Sequence, residues 1–156
     1  MTEITIRHAT PSDLDTLAAF NIAMAAETED RHLPPDIIKK GVAQLVNERD
    51  KGFYLVAESD DCISGCLAIT FEWSDWRCGL FWWIQSVYVD KAFRRTGVFR
   101  ALYDHVTDMA RTSGDVCGIR LYVERDNVRA QHTYRQLGMI ETDYKLFEVE
   151  FEPNGS

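Results

Sequence analysis

The stretch that most constrains the fold is an almost wholly apolar run of ten residues, LFWWIQSVYV at 80–89. It is rich in aromatic and β-branched side chains, the composition of a central strand that is covered on both faces. A turn containing Gly97 and an amphipathic helix over 97–111 follow directly. We therefore expect an α/β or α+β layer built on a mixed sheet.

Hydrophobic periodicity and turn residues divide the whole chain into six strands and four helices, counting the two elements just described. The predicted strands cover residues 4–8, 52–57, 63–72, 80–89, 119–124 and 145–152. The predicted helices are one opened by Pro11-Ser12-Asp13 and three over 36–47, 97–111 and 127–137, with a loop or broken helix at 25–35. No internal repeat or Gly/Ser/Pro linker interrupts this order. Residues 1–152 are therefore expected to form one domain, with a frayed tail at 153–156.

Charge and cysteine content exclude several function classes. The chain has 17 Lys and Arg against 25 Asp and Glu, a formal net charge of −8. We therefore do not expect a protein that coats nucleic acid non-specifically, because so acidic a chain repels phosphate. No apolar stretch is long enough to span a bilayer, and residues 1–10 lack the apolar core of a signal peptide. The four cysteines lack metal-ligand spacing, so no metal site is expected, and we interpret them as small buried residues in a reducing cytoplasm.

Against this acidic background, residues 91–100 (KAFRRTGVFR) hold four cations and no acid. They lie between the apolar strand and the helix that begins near Gly97. A helix N-terminus presents unpaired N–H groups and partial positive charge, and glycine lets a bulky anion approach the backbone. The pattern alone leaves two interpretations open, a pyrophosphate site and a solvated surface turn.

Two segments at strand-to-helix junctions carry longer motifs. The first is VYV at 87–89 followed by RRTGVFRAL at 94–102, and the second is NVRAQHTY at 127–134 followed by LGM at 137–139. The first resembles motif A of the GNAT superfamily of acetyltransferases, Gln/Arg-x-x-Gly-x-Gly/Ala after a strand. Arg94 and Gly97 match it, and Phe99 stands where a small residue is usual. The second resembles motif B, Asn-x-x-Ala-x-x-x-Tyr-x-x-x-Gly-Phe, with Met139 in place of the final Phe.

The resemblance covers nearly the whole chain and implies both a fold and a cofactor. The fold is a mixed, mostly antiparallel sheet of six to seven strands, splayed in the middle and flanked by about four helices. The cofactor is acetyl-CoA, whose pantetheine arm would pair with the main chain of Val87 and Val89 like an added strand. The cofactor-binding residues implied in this way are Val87, Tyr88, Val89, Arg94, Arg95, Thr96, Gly97, Val98, Phe99, Arg100, Asn127 and Tyr134.

The resemblance also implies a general acid. The Tyr134 hydroxyl would protonate the departing CoA thiolate. A competing interpretation is a core aromatic, since Ala130 and Leu137 share its helix face. Asn127 suits a helix N-cap, and its amide would at the same time reach the cofactor arm.

A general base is also needed, because an amine with a pKa near 10.4 is almost entirely protonated at pH 7. Family members often place a carboxylate on the strand before motif A, where this chain has Trp83 and Gln85. Glu27 and Glu72, which border apolar or aromatic stretches, are therefore the first candidates. For each of them a solvated acid is the competing interpretation.

The acceptor is indicated only by charge and by tryptophan content. Residues 71–83 hold all four tryptophans, which suit either a cage for a cationic amine or packing of Trp82 and Trp83 beneath a hairpin that carries Trp73 and Trp76. We expect acetyl transfer to the primary amine of a small cationic acceptor, by direct attack in a ternary complex. A non-catalytic acyl-CoA sensor of the same fold is the alternative. An edge strand at 145–152 would also allow a homodimer.

Overall fold

The structure is a computed structural model that describes residues 3–152. In that range the chain forms five strands and four α-helices. The strands are β1 (Ile4–His8), β2 (Gly52–Ser59), β3 (Cys62–Ser74), β4 (Gly79–Val89) and β5 (Val116–Arg120). The helices are α1 (Leu14–Glu29), α2 (Pro35–Asn47), α3 (Val98–Ser113) and α4 (Val128–Gln136). The chain divides into two compact units between Leu121 and Tyr122, and the first holds the whole sheet.

The strands lie in chain order across one sheet. β1 to β4 form an antiparallel meander, and β5 joins β4 in parallel after the α3 crossover. A parallel neighbour requires a crossover of this kind, because a tight turn only reverses the strand direction. The predicted mixed, mostly antiparallel α/β fold is confirmed.

Alternating side chains give the sheet two apolar faces. One face packs against α3, where Leu55, Leu67 and Trp82 meet Leu102 and Val106. The opposite face packs against α1 and α2 and forms a second core. Its buried residues are Leu17, Phe20, Val42, Tyr54, Val56, Cys66 and Ala68. The α3 face is covered along β3 and β4, whereas the core on the α1–α2 face reaches only Ala68 of β3 and Tyr88 of β4, so the cover on both sides predicted from the apolar run at 80–89 is found in part.

Several predicted boundaries and elements are wrong. The sheet has five strands among the described residues rather than six or seven, because residues 145–152 form no strand. Phe147 and Phe151 are 91% and 87% exposed, so the alternating pattern there buries neither face. The predicted strand at 119–124 is β5, which ends at Arg120, and α1 continues to Glu29 across part of the expected loop.

The cysteine prediction is partly wrong. Only Cys66 is buried, whereas the other three, Cys62, Cys78 and Cys117, are exposed. Cys62 begins β3 and Cys78 lies in the turn before β4, so neither is inside the apolar part of its strand. Within residues 3–152, no helix has the length and apolarity needed to cross a bilayer. Residues 153–156, predicted as a frayed tail, lie outside the described residues, and the single-domain assignment stays a prediction.

Asp13 ties the first strand to the first helix. It is 4% exposed and accepts two hydrogen bonds from the Arg7 guanidinium, at 2.8 and 3.1 Å, and one from the Thr10 main-chain N–H at 2.8 Å. The hydrogen bonds from Arg7 are the main cause that holds the pKa of Asp13 below its usual value.

We predict that Asp13→Asn lowers the free energy of unfolding by about 1.5–3 kcal/mol at pH 7, because a charged hydrogen-bond acceptor is lost from a buried site. Since the folded-state pKa of Asp13 is lowered, the wild-type advantage should be present above pH ~4 and should disappear as the pH falls through that lowered value. Urea denaturation between pH 7 and about pH 3 measures it. Asp15→Asn, at an exposed position two residues later, is the control and should change stability by less than about 0.5 kcal/mol.

Candidate functional site

A β-bulge interrupts β4 in the middle of the sheet. Tyr88 pairs with Cys66 and Gln85 pairs with Ala68, so two β4 residues, Ser86 and Val87, stand opposite the single residue Leu67. Ser86 has a φ of +52°, in the left-handed region that a serine rarely adopts. The bulge bends β4 and re-aims the residues that follow it.

Beyond the bulge, one edge of β4 is open. β5 pairs with β4 only as far as the pair Trp83–Arg120, so residues 84–89 have no strand on that side among the described residues. The Asp90 N–H donates to the Ser64 carbonyl of β3 at 2.8 Å. Because main-chain groups alternate between the two edges of a strand, the N–H and carbonyl groups of Val87 and Val89 point to the open edge.

The open edge leads to a basic loop at the start of α3. The backbone turns through the left-handed region twice, at Arg95 (φ +64°) and at Gly97 (φ +89°), and no side chain caps the helix. The first N–H groups of α3 therefore face the loop without helical partners. An open depression of about 200 Å³ lies at this junction and is lined by Val89, Arg94, Arg95, Gly97, Val98, Phe99 and Arg100. Seven of the predicted cofactor-binding residues thus share one concave surface.

Two of the four predicted cations are already engaged. Arg94 donates to the carboxylate of Glu27 on α1 at 2.9 Å and to the Val89 carbonyl at 3.0 Å. Arg100 pairs with Asp104 one turn later on α3 at 3.0 Å. Arg95 and Lys91 form no ion pair with any described residue. Since the engaged pairs are partly exposed, an anion can displace them at small cost.

Glu27 also accepts a hydrogen bond from the Tyr88 hydroxyl at 2.6 Å. That bond and then the Arg94 contact hold the pKa of Glu27 below its usual value. Burial, and next the hydrogen bond to Glu27, raise the pKa of Tyr88 to about 12. Glu27 is therefore a weaker base than an ordinary glutamate at this surface.

Glu72 lies in a different group of side chains, which we call the fork cluster: Glu72, Trp83 and Arg120. The Trp83 indole donates to the Glu72 carboxylate at 2.7 Å, and Arg120 donates to both of its oxygens at 3.2 Å. The Arg120 guanidinium lies 3.6 Å from the centre of the buried Phe81 ring. The cluster stands where β4 and β5 part.

Two of the three residues of the fork cluster were identified from the sequence. The sequence singled out Glu72 and Trp83 but missed Arg120, although a single cation in the predicted strand at 119–124 was a usable signal. The bulge at Ser86 was also missed, since nothing in the run at 80–89 marks it. Among the tryptophans, Trp82 is buried while Trp73 and Trp76 are 58% and 88% exposed near the β3–β4 turn. This arrangement favours core packing and an exposed hairpin over an aromatic cage.

The second unit carries Asn127 and Tyr134. The Asn127 side chain accepts a hydrogen bond from the Ala130 N–H at 3.2 Å, which confirms the predicted N-cap. Gly138, with a φ of +92°, follows the end of α4 as predicted. Tyr134 lies on α4, and its partial burial raises the pKa of the phenol above its usual value. The hydroxyl therefore carries its proton at neutral pH.

The sequence pattern of the acetyltransferase (GNAT) family matches residues 16–139. That span is more than half of the 156 residues, so the chain belongs to the GNAT acetyltransferase family. The family predicted from motifs A and B is confirmed.

Individual relatives agree with this assignment. The mycothiol acetyltransferase of Mycolicibacterium vanbaalenii is 33% identical over 113 residues, which are 65% of this chain and 36% of that protein. The chain thus spans about a third of the length of this relative. A possible acetyltransferase from Clostridium difficile 630 is 44% identical, with a TM-score of 0.91 over 96% of this chain and 99% of the other. A predicted acetyltransferase from Clostridium acetobutylicum, solved with acetyl-CoA, is 17% identical and shares the fold, with a TM-score of 0.75 over 94% of this chain and 96% of the other.

Two glycines at opposite ends of α3 offer a matched test of the basic junction. Gly97 and Gly114 have φ values of +89° and +85°, and a Cβ added to either would meet no atom within 4 Å. Each change to alanine should cost about 1–2 kcal/mol of stability, because both backbones are left-handed. Only Gly97→Ala places a methyl group over the junction, so it should raise the Kd for CoA about tenfold in calorimetry. Equal CoA affinity in the two variants would exclude the junction as the binding site.

Proposed function

We propose that this protein transfers an acetyl group from acetyl-CoA to the primary amine of a small acceptor. One observation carries the proposal: the open edge of β4 runs directly into the uncapped, basic N-terminus of α3. A strand edge suits a ligand with spaced amide groups, and a basic helix N-terminus suits a diphosphate. CoA has both features in one molecule.

In this proposal the main-chain groups of Val87 and Val89 pair with the amides of the pantetheine arm. The pyrophosphate lies over the loop from Arg94 to Arg100, where the free helix N–H groups and the arginines meet its charge. Arg94 leaves Glu27 and the Val89 carbonyl to do so. Asn127 would offer its amide N–H to the cofactor arm, since its oxygen is used by the helix cap.

The reaction is a direct attack in a ternary complex. The lone pair of the neutral amine forms a bond to the thioester carbonyl carbon, and the carbon–sulfur bond breaks when the tetrahedral intermediate collapses. The departing thiolate takes the proton of the Tyr134 hydroxyl, and the amine gives its extra proton to a base. Partial burial raises the pKa of the Tyr134 phenol, so this transfer is uphill against an ordinary thiol pKa near 8.5, and the collapse of the intermediate must drive it.

Of the two acids singled out as bases, Glu72 is the better supported. The pKa of Glu27 is lowered by Tyr88 and Arg94, which makes it a weaker base, and its carboxylate lies at the proposed cofactor loop. Glu72 instead stands beside Trp83, one of the two β4 positions where related proteins carry the carboxylate. Because Glu72 lies on β3 opposite this part of β4, its carboxylate can reach the position that a β4 carboxylate would occupy.

The proposal is tested by incubating the protein with acetyl-CoA and a panel of primary amines, and by following thiol release together with the mass of the acceptor. Release that depends on an amine supports the enzyme. CoA binding without release for any amine favours the sensor alternative. The net charge of −8 favours amines that are cationic in solution. A cytoplasmic location and a homodimer stay predictions.

Tyr134→Phe should lower kcat by about 10²–10⁴-fold while leaving the Kd for CoA unchanged, since only the proton donor is removed. Steady-state kinetics and calorimetry measure the two quantities. Tyr144→Phe, at a 77% exposed position in the same unit, is the control. An unchanged kcat near pH 7 would remove Tyr134 as the acid.

The two acids separate in a pH–rate experiment. Glu72→Gln should lower kcat/KM about 10–100-fold near neutral pH and move the profile toward alkaline pH, where more of the amine is neutral on its own. Glu27→Gln should keep the shape of the profile and change the Kd for CoA, because it releases Arg94. An alkaline shift in Glu27→Gln alone would reverse the assignment.

A further inference from the structure

The position of the fork cluster indicates what kind of acceptor the site takes. The kind of acceptor inferred below depends on the function proposed above. A CoA arm that lies along the open edge of β4 from the phosphate loop runs past Val89 and Val87 toward the N-terminal half of the strand. The open edge ends at the Trp83–Arg120 pair, because β5 lies beside β4 from that pair back to Leu80. The thioester end of an arm bound in this way would therefore lie near the fork cluster.

The fork cluster lies on a part of the sheet that helices of its own unit do not fill. Glu72 pairs with Phe81, and Trp83 pairs with Thr70, so these four side chains share one face of the sheet. The α1 and α2 core on that face extends only to Ala68, the partner of Gln85. No residue of the fork cluster belongs to that core, and Glu72 and Arg120 keep 42% and 25% of their side chains exposed.

After the pairing within the fork cluster, Arg120 can still donate hydrogen bonds and Glu72 can still accept one. One guanidinium nitrogen of Arg120 donates to Glu72, and its Nε and second terminal nitrogen have no hydrogen-bond partner among the described residues. Stacking on Phe81 holds the guanidinium plane in place, which suits two-point recognition of a carboxylate. Among the described residues, the Oε2 atom of Glu72 accepts a hydrogen bond from Arg120 alone, so it can also accept one from an ammonium group.

We infer that the acceptor is an amino acid-like zwitterion, whose carboxylate binds Arg120 and whose amine lies at Glu72. Arg120 and Glu72 are in contact at 3.2 Å, so the two ligand groups must be only one or two carbons apart. A simple diamine leaves the Arg120 nitrogens unpaired and is a poorer fit.

The test compares α-amino acids with their own amides and with the amines that lack the carboxyl group. The amide keeps the shape and removes only the anionic charge. We expect kcat/KM for the acid to exceed that for the amide by about 10–100-fold, the value of a two-point charged pair. Arg120→Gln should remove this preference while keeping the Kd for CoA, and Arg120→Lys should restore part of it.

Arg77→Gln is the matched control. Arg77 also lies over the Phe81 ring, at 5.0 Å, but it makes no bond to Glu72, so the preference for the acid should persist. Thermal melting checks that each variant folds. A preference for amides or plain amines in the wild type, or an acid preference retained in Arg120→Gln, would overturn the inference.

Failure of the proposed function gives a different result. In that case no amine releases thiol, and the binding of amino acids to the CoA-loaded protein is measured by NMR instead. Binding that is lost in Arg120→Gln and kept in Arg77→Gln then supports the zwitterion site without catalysis. No binding in the wild type contradicts it.

Discussion

The parting of β4 from β5 is the constraint on which the proposed chemistry depends. β5 pairs with β4 only through Trp83, and the bulge at Ser86 bends the strand just beyond that point. An edge with no neighbouring strand in the described part of the chain, as at residues 84–89, would be a liability in an ordinary sheet, since it invites other strands. Arg94 donates to one group there, the Val89 carbonyl. In the proposed function, a ligand with amides along its length would pair with this edge. One strand thus connects the basic loop at its end with the fork cluster at its middle.

Carboxylates balance part of the charge of the basic loop. The chain is acidic overall, yet its four clustered cations gather at one helix N-terminus, and Glu27 and Asp104 neutralise two of them. Exposed ion pairs of this kind contribute at most about 1 kcal/mol each. A diphosphate carries more charge than either carboxylate and also reaches the helix N–H groups, so it competes well for the same arginines. The loop is therefore held in shape without being blocked.

The sequence allowed prediction of local features and missed those that depend on register. Gly97, Gly138 and the Asn127 cap were predictable because each belongs to a helix end with a known local rule. The order of elements through α4 followed from periodicity. The strand expected at 145–152 was wrong, since alternation shows what a strand could bury but supplies no neighbouring strand to pair with it.

The fork cluster illustrates why register limits prediction of the site. Its members come from three strands, and only the pairings Glu72–Phe81 and Trp83–Arg120 bring them together. Shifting β3 by one residue would turn Glu72 to the α3 face, leaving Arg120 without its partner. The base of a proton transfer is defined by its place beside the reacting nitrogen, and any strand that reaches that place can supply it. A carboxylate absent from positions 83 and 85 is therefore no sign of lost activity, because β3 holds one beside the same fork.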